Sequence, residues 1–133
     1  MMVGMDRSQS YIHGGPPEPL LGLTVGGLLD ATASKFPQSE SLSVPHQQIR
    51  WSWEALRAEA RAIGAGLLAL GLEPGDRVGI LSPNRAEWVA VQFGTAYAGL
   101  ILVNINPASR VSELEYALNK VGCRALITET RFK

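Results

Sequence analysis

Cysteine is almost absent from this chain: Cys123 stands alone among 133 residues. One thiol excludes an intrachain disulfide and a cysteine-built zinc cluster. Its neighbours are Gly122 and Arg124, between a predicted helix and a predicted strand. Arg124 could assist a thiolate, but no base is at hand, so Cys123 reads as a small buried hydrophobe. Histidine is nearly as scarce. His13 and His46 both fall in predicted loops without a carboxylate framework, which makes no metal site. An excess of one charge is missing too: the 12 basic and 12 acidic residues sum to zero. Without a basic stripe, nucleic acid is excluded as a partner. No apolar run approaches the ~20 residues that cross a bilayer. Met1 to Arg7 lack the layout of a signal peptide and the Arg-rich amphipathic pattern of a mitochondrial presequence, so the expected location is the cytoplasm.

What is present describes a packed domain. Hydrophobic residues at 46% and charged ones at 18% are too apolar for disorder, and the length suits one domain. Residues 1–19 read as a flexible lead-in, because Gly14-Gly15-Pro16-Pro17-Glu18-Pro19 supports neither helix nor ladder strand. From there on, residues 20–133 read as a single domain unit, with no internal repeat or long linker. Thr24 is a predicted N-cap, and Leu28, Leu29, Thr32, Ala33 and Phe36 form the apolar face of a helix ending before Pro37. Leu42 to Val44 and Gln48 to Trp51 flank Pro45-His46-Gln47 as an antiparallel hairpin. Ser52 caps the next helix, whose stripe is Leu56, Ala60, Ile63, Leu67 and Leu70, and Gly71 ends it.

The most informative stretch is Gly75 to Ile127. Val78 to Leu81, Leu100 to Val103 and Ala125 to Ile127 are apolar runs, separated by predicted helices over Glu87 to Gly99 and Ser112 to Val121. Such runs are expected to be strands of a parallel sheet, buried on both faces under helices. The fold class is therefore α/β, with a mainly parallel sheet flanked by helices plus the small antiparallel hairpin. Sheets of this kind place ligand chemistry in the loops beyond the carboxyl ends of their strands.

Asn84 in Ser82-Pro83-Asn84, and Asn104 and Asn106 in Asn104-Ile105-Asn106-Pro107, fall in such loops and are the candidate ligand-facing residues. Asn84 can cap the following helix and leave other amides free to face an anion. Good turn and cap chemistry explains the same residues and is the preferred reading. Gly64-Ala65-Gly66-Leu67-Leu68-Ala69 matches the dinucleotide fingerprint in letters only. It lies inside a helix rather than where a strand turns into one, so its small residues are read as a helix contact. Glu113 and Glu115, two apart, do not share a helix face; Glu113 sits where a helix start favours a carboxylate. Trp51, Trp53, Trp88, Phe93 and Tyr97 are read as core aromatics. No residue qualifies as catalytic and no metal ligand is assigned.

An ordered set of short motifs carries a resemblance. Gly75-Asp76-Arg77-Val78-Gly79-Ile80, Ser82-Pro83-Asn84, Glu87-Trp88, Ala98-Gly99, Val103 to Pro107 and Glu113 to Tyr116 together resemble the amino-terminal part of the acyl-adenylate-forming (AMP-binding) enzymes. Ser10 to Gly14, Pro19 to Gly22, Ile49 to Trp51 and Gly122-Cys123 resemble the fatty acyl-CoA synthetases of the family member 2 type. The resemblance implies a fatty acyl-CoA ligase using ATP, Mg2+ and coenzyme A, with a fatty acid as substrate and the remainder of the same polypeptide as structural partner. The family's Pro-Lys-Gly phosphate loop, aromatic-Thr-Glu motif and catalytic lysine are all missing. The chain is therefore expected to be an inactive amino-terminal fragment, the other possibility being a stand-alone non-catalytic α/β binding module.

Overall fold

The first helix begins where the Oγ1 of Thr24 accepts the Gly27 amide at 3.1 Å, as its sequence predicts. In the computed structural model, which describes residues 21–132, this helix, α1, spans Val25–Lys35. The lead-in assigned to residues 1–19 lies outside the described residues. Strands β1 (Glu40–Val44) and β2 (Ile49–Ser52) pair antiparallel around a 3₁₀ turn at Pro45–Gln47. The Oγ of Ser52 then accepts the Ala55 amide at 3.2 Å and starts α2, Trp53–Ala69. Gly71 follows with φ +87°, the left-handed geometry that stops a helix.

Strand β3 (Arg77–Leu81), helix α3 (Ala86–Tyr97), strand β4 (Ile101–Ile105), helix α4 (Val111–Val121), strand β5 (Cys123–Thr128) and a 3₁₀ turn at Thr130–Phe132 complete the described chain. Both pairings of β3 are parallel, and the strand order is β4-β3-β5. That order corrects one expectation. Only β3 is buried on both faces; β4 and β5 are its edges and are largely accessible. A central strand has neighbours on both sides, whereas an edge strand keeps an open flank however apolar its sequence.

Two buried clusters lie on one face of the sheet. Leu29, Leu56, Ala60 and Ala90 join α1, α2 and α3, with Trp51, Trp53, Phe93 and Tyr97 packed against them. Leu67, Leu72, Val78, Ala98 and Leu100 continue this core to the sheet. Leu28, Phe36 and Leu70, assigned to apolar stripes from spacing, are exposed. Phe36 and Leu70 are the residues that cap the ends of their helices and Leu28 lies at the margin of its face, where no element among the described residues covers them. The α2–α3 contact is close enough to require glycine. A Cβ at Gly64 would stand 2.8 Å from the Gly94 carbonyl oxygen, and one at Gly94 would stand 2.9 Å from the Ala60 carbonyl oxygen. Of the fingerprint-like letters, Gly64 thus marks a helix crossing, while Gly66 faces open space.

The other face is thinly covered. Leu114, Ala117 and Leu118 of α4 are half-buried, and no residue of that helix is buried. Val111 and Tyr116 are exposed on α4, as are Ile101 on β4 and Leu126 on β5. The Glu113 carboxylate accepts the Arg110 amide at 2.8 Å, so this acid closes the helix start.

Candidate functional site

Loops leaving β3 and β5 at their carboxyl ends enclose a cleft of about 500 Å³. Its polar lining consists of Ser82, Arg85, Glu87, Thr128, Glu129 and Thr130, with Trp88 of α3 as the main apolar wall. The backbone brings these groups together because parallel strands in register end level with one another: Leu81 pairs with Thr128. Side chains one to six residues beyond β3 therefore face those just beyond β5.

A single guanidinium organises the cleft. Arg85 Nε lies 3.3 Å from Glu87 Oε2 and 3.6 Å from Glu129 Oε1. Glu129 accepts a hydrogen bond from Ser82 Oγ at 3.3 Å and pairs with Arg131 Nε at 2.9 Å. Glu87 Oε2 also accepts from Gln47 Nε2 at 2.8 Å, across from the hairpin turn. That amide donor, aided by Arg85, holds the Glu87 carboxyl below its usual range, against the opposing effect of partial burial. Glu87 in turn raises the Arg85 guanidinium. Charge in the cleft is thus internally matched. The arrangement ties loops together; it presents no activated nucleophile. Among the described residues, no group of three or more histidine, cysteine or acidic side chains could hold a metal ion.

The three asparagines singled out from sequence do not converge. Asn84 lines a separate cleft of about 300 Å³ between the hairpin and α3, beside Pro45, His46, Trp88 and Val89. The N-cap expected at Asn84 falls instead on Arg85, and the first amide of α3, at Ala86, donates to Gln47 Oε1 at 2.8 Å. Asn84 precedes the cap by one residue, and the hairpin turn supplies the acceptor. Asn106 Oδ1 accepts the Ala108 amide at 3.0 Å, a local turn. Asn104 lies within β4 opposite Ile80, with its side chain exposed on an edge strand. Cys123 is half-buried, and burial pushes its thiol up, with Arg77 partly offsetting this. It is a poor nucleophile.

Sequence reasoning missed Arg85, Glu87, Glu129 and Gln47. The first three were within reach, since each lies just past a strand end by the same rule that selected the asparagines. Gln47 carries no local signal, because its partners are about forty residues away in the chain.

The chain matches the family model described as AMP-binding enzyme over residues 29–133. It is 47% identical over 124 residues to the medium-chain acyl-CoA ligase ACSF2, mitochondrial, of Rattus norvegicus, covering 93% of this chain and 20% of that protein. The human protein of the same name is 44% identical over the same length. Among solved structures, the N-terminal domain of FACL13 from Mycobacterium tuberculosis superposes with a TM-score of 0.78 at 28% identity, covering 80% of this chain and 27% of that one. The chain spans about a fifth of the length of these curated relatives. The expectation of a cytoplasmic location is overturned, since the rat, mouse and human relatives are all named as mitochondrial. That expectation rested on seven terminal residues lacking a leader pattern, which is no measure of compartment.

Proposed function

We propose, from the premise that this chain belongs to the family of AMP-binding enzymes, that it forms the amino-terminal portion of a medium-chain fatty acyl-CoA ligase. In this reading residues 20–133 are part of the large amino-terminal domain and residues 1–19 its lead-in. The observation that carries it is the 93% coverage of this chain by a ligase of which it spans 20%. The whole enzyme would join a fatty-acid carboxylate to coenzyme A at the expense of ATP, with Mg2+, and the names of its relatives support a mitochondrial setting. The described residues do not themselves fit a magnesium nucleotide. Arg85 is committed to Glu87 and Glu129, and Ser82 donates to that same Glu129 carboxylate, so no cation of the cleft is left for a phosphate. No step of the reaction is assigned to them, and the chain by itself is expected to be inactive.

The remainder of the polypeptide is the partner this reading supplies. It would cover the β4 and β5 edges and the exposed apolar residues Ile101, Val111, Tyr116 and Leu126. Purified full-length polypeptide, given octanoate, ATP, Mg2+ and coenzyme A, should release AMP and form the thioester, while the 133-residue chain should not. A gene product in its source cells no larger than this chain would overturn the ligase reading and leave a non-catalytic module.

A further inference from the structure

We propose that Gln47 is a positioning residue for the carboxyl-edge cleft: its one side-chain amide, carried on the hairpin turn, fixes the start of α3 and the Glu87 carboxylate together, and through Glu87 sets the place of Arg85. The geometry leaves the amide a single orientation, because the Ala86 amide requires an acceptor and the Glu87 carboxylate a donor. Both contacts are 2.8 Å. The oxygen that Gln47 holds, Glu87 Oε2, is the same one that Arg85 Nε approaches at 3.3 Å. Arg85 Nε then reaches Glu129 Oε1, the oxygen that accepts from Ser82. A displaced Gln47 therefore displaces the ligand that orients the guanidinium.

The turn itself gives a second, independent observation. Gln48 has φ +56°, the described chain's only left-handed residue that is not glycine. This conformation costs roughly 1–2 kcal/mol in a residue bearing a Cβ. Gln48 donates its amide to the Pro45 carbonyl at 3.0 Å, closing the turn so that Gln47 points at α3. The hairpin, otherwise remote from the sheet, is thus geared to the mouth of the cleft. This holds whether or not the ligase reading does.

The test uses full-length polypeptide labelled at arginine Nε, with the Arg85 resonance assigned by Arg85→Lys. Gln47→Ala should shift that resonance and speed Ala86 amide exchange about tenfold, while Arg50 and Arg61, paired with Glu40 and Asp30, stay in place. Gln47→Glu keeps an acceptor for Ala86 but sets carboxylate against carboxylate. It should leave exchange slow and still move Arg85. Two results would each overturn the proposal: an Arg85 resonance indifferent to Gln47→Ala, or all arginines moving together.

Discussion

The two faces of the three-stranded sheet are built to different standards. On one, α2 and α3 meet at backbone distance through Gly64 and Gly94, and Leu29, Leu56 and Val78 are almost fully buried. On the other, α4 rests on the sheet through half-buried Leu114, Ala117 and Leu118 while Val111 and Tyr116 face outward. α2 and α4 each have an apolar stripe and a capped start, so local sequence does not separate them. What separates them is the number of layers. The α2–α3 side carries a second layer, α1 and the hairpin, that closes over its side chains; the α4 side has none among the described residues. Apolar spacing tells where a helix can bury a face, and only the next layer decides whether it does.

The comparison breaks most readily at the core. Leu56→Ala should cost about 3 kcal/mol in urea unfolding, because its site is closed on all sides. Leu118→Ala on the α4 side should cost no more than about 1 kcal/mol, its side chain being only partly removed from water. Equal losses would show the two faces to be alike.

A sharper contrast lies within α2 itself. Gly64→Ala should destabilise by about 1–3 kcal/mol, since its Cβ would meet a carbonyl that cannot retreat. Gly66→Ala, two residues on and with open space around it, should be neutral or stabilising by up to ~1 kcal/mol. Thermal unfolding of the two variants decides whether the helix contact or mere helix propensity explains the glycines.

The layered side also carries an electrostatic tie. Asp30 of α1 accepts from Tyr97 Oη at 2.8 Å and from Arg61 Nη2 at 2.9 Å. The Tyr97 hydrogen bond, then Arg61, holds the Asp30 carboxyl below its ordinary value, with burial opposing. A depressed carboxylate contributes stability above its unfolded pKa, near 4, and loses it as pH falls through the folded value. Its side chain is about a third exposed, so the contribution is under ~1 kcal/mol. Asp30→Asn should remove that portion of the acid dependence below pH 4, leaving stability flatter there, as pH-dependent unfolding would show.

The smallest effect on stability belongs to the open side. Val111→Ser combined with Tyr116→Ser should change unfolding free energy by no more than ~0.5 kcal/mol, because both side chains already face water. The isolated chain, with Val111 and Tyr116 exposed, is expected to self-associate, and the double variant should reduce this, measured by sedimentation velocity. Unchanged association would remove the apolar α4 surface as its cause.

Much of the fold was legible, element by element. Thr24 and Ser52 announced their helices because an N-cap hydroxyl acts within its own turn, and Gly71 ended α2 for an equally local reason. The burial of β4 and β5 was misread because an apolar run does not say whether its strand is central or at an edge. The candidate site was legible in place and not in residues. Strand ends pointed to the loops that line the cleft, but Asn106 is spent on its own turn and Asn84 faces another cleft. The groups that do converge are joined across the fold: Arg85 to Glu129 beyond another strand, and Gln47 to Ala86 from the hairpin. Pairings of that separation leave no mark on local composition.

The place of β3 at the middle of the sheet also sets a schedule. Its partners are β4, in register from Ile101, and β5, in register from Cys123, so both are made after it. At ribosomal rates of about 5–20 residues per second, β3 waits roughly 1–5 s for its first neighbour and about twice as long for the second. By then every residue of α1, the hairpin and α2 has already been added. The most buried of the described strands therefore enters the cell with its helical shelter made in advance and its hydrogen-bonding edges bare, and it is during that interval that a nascent-chain chaperone would find it.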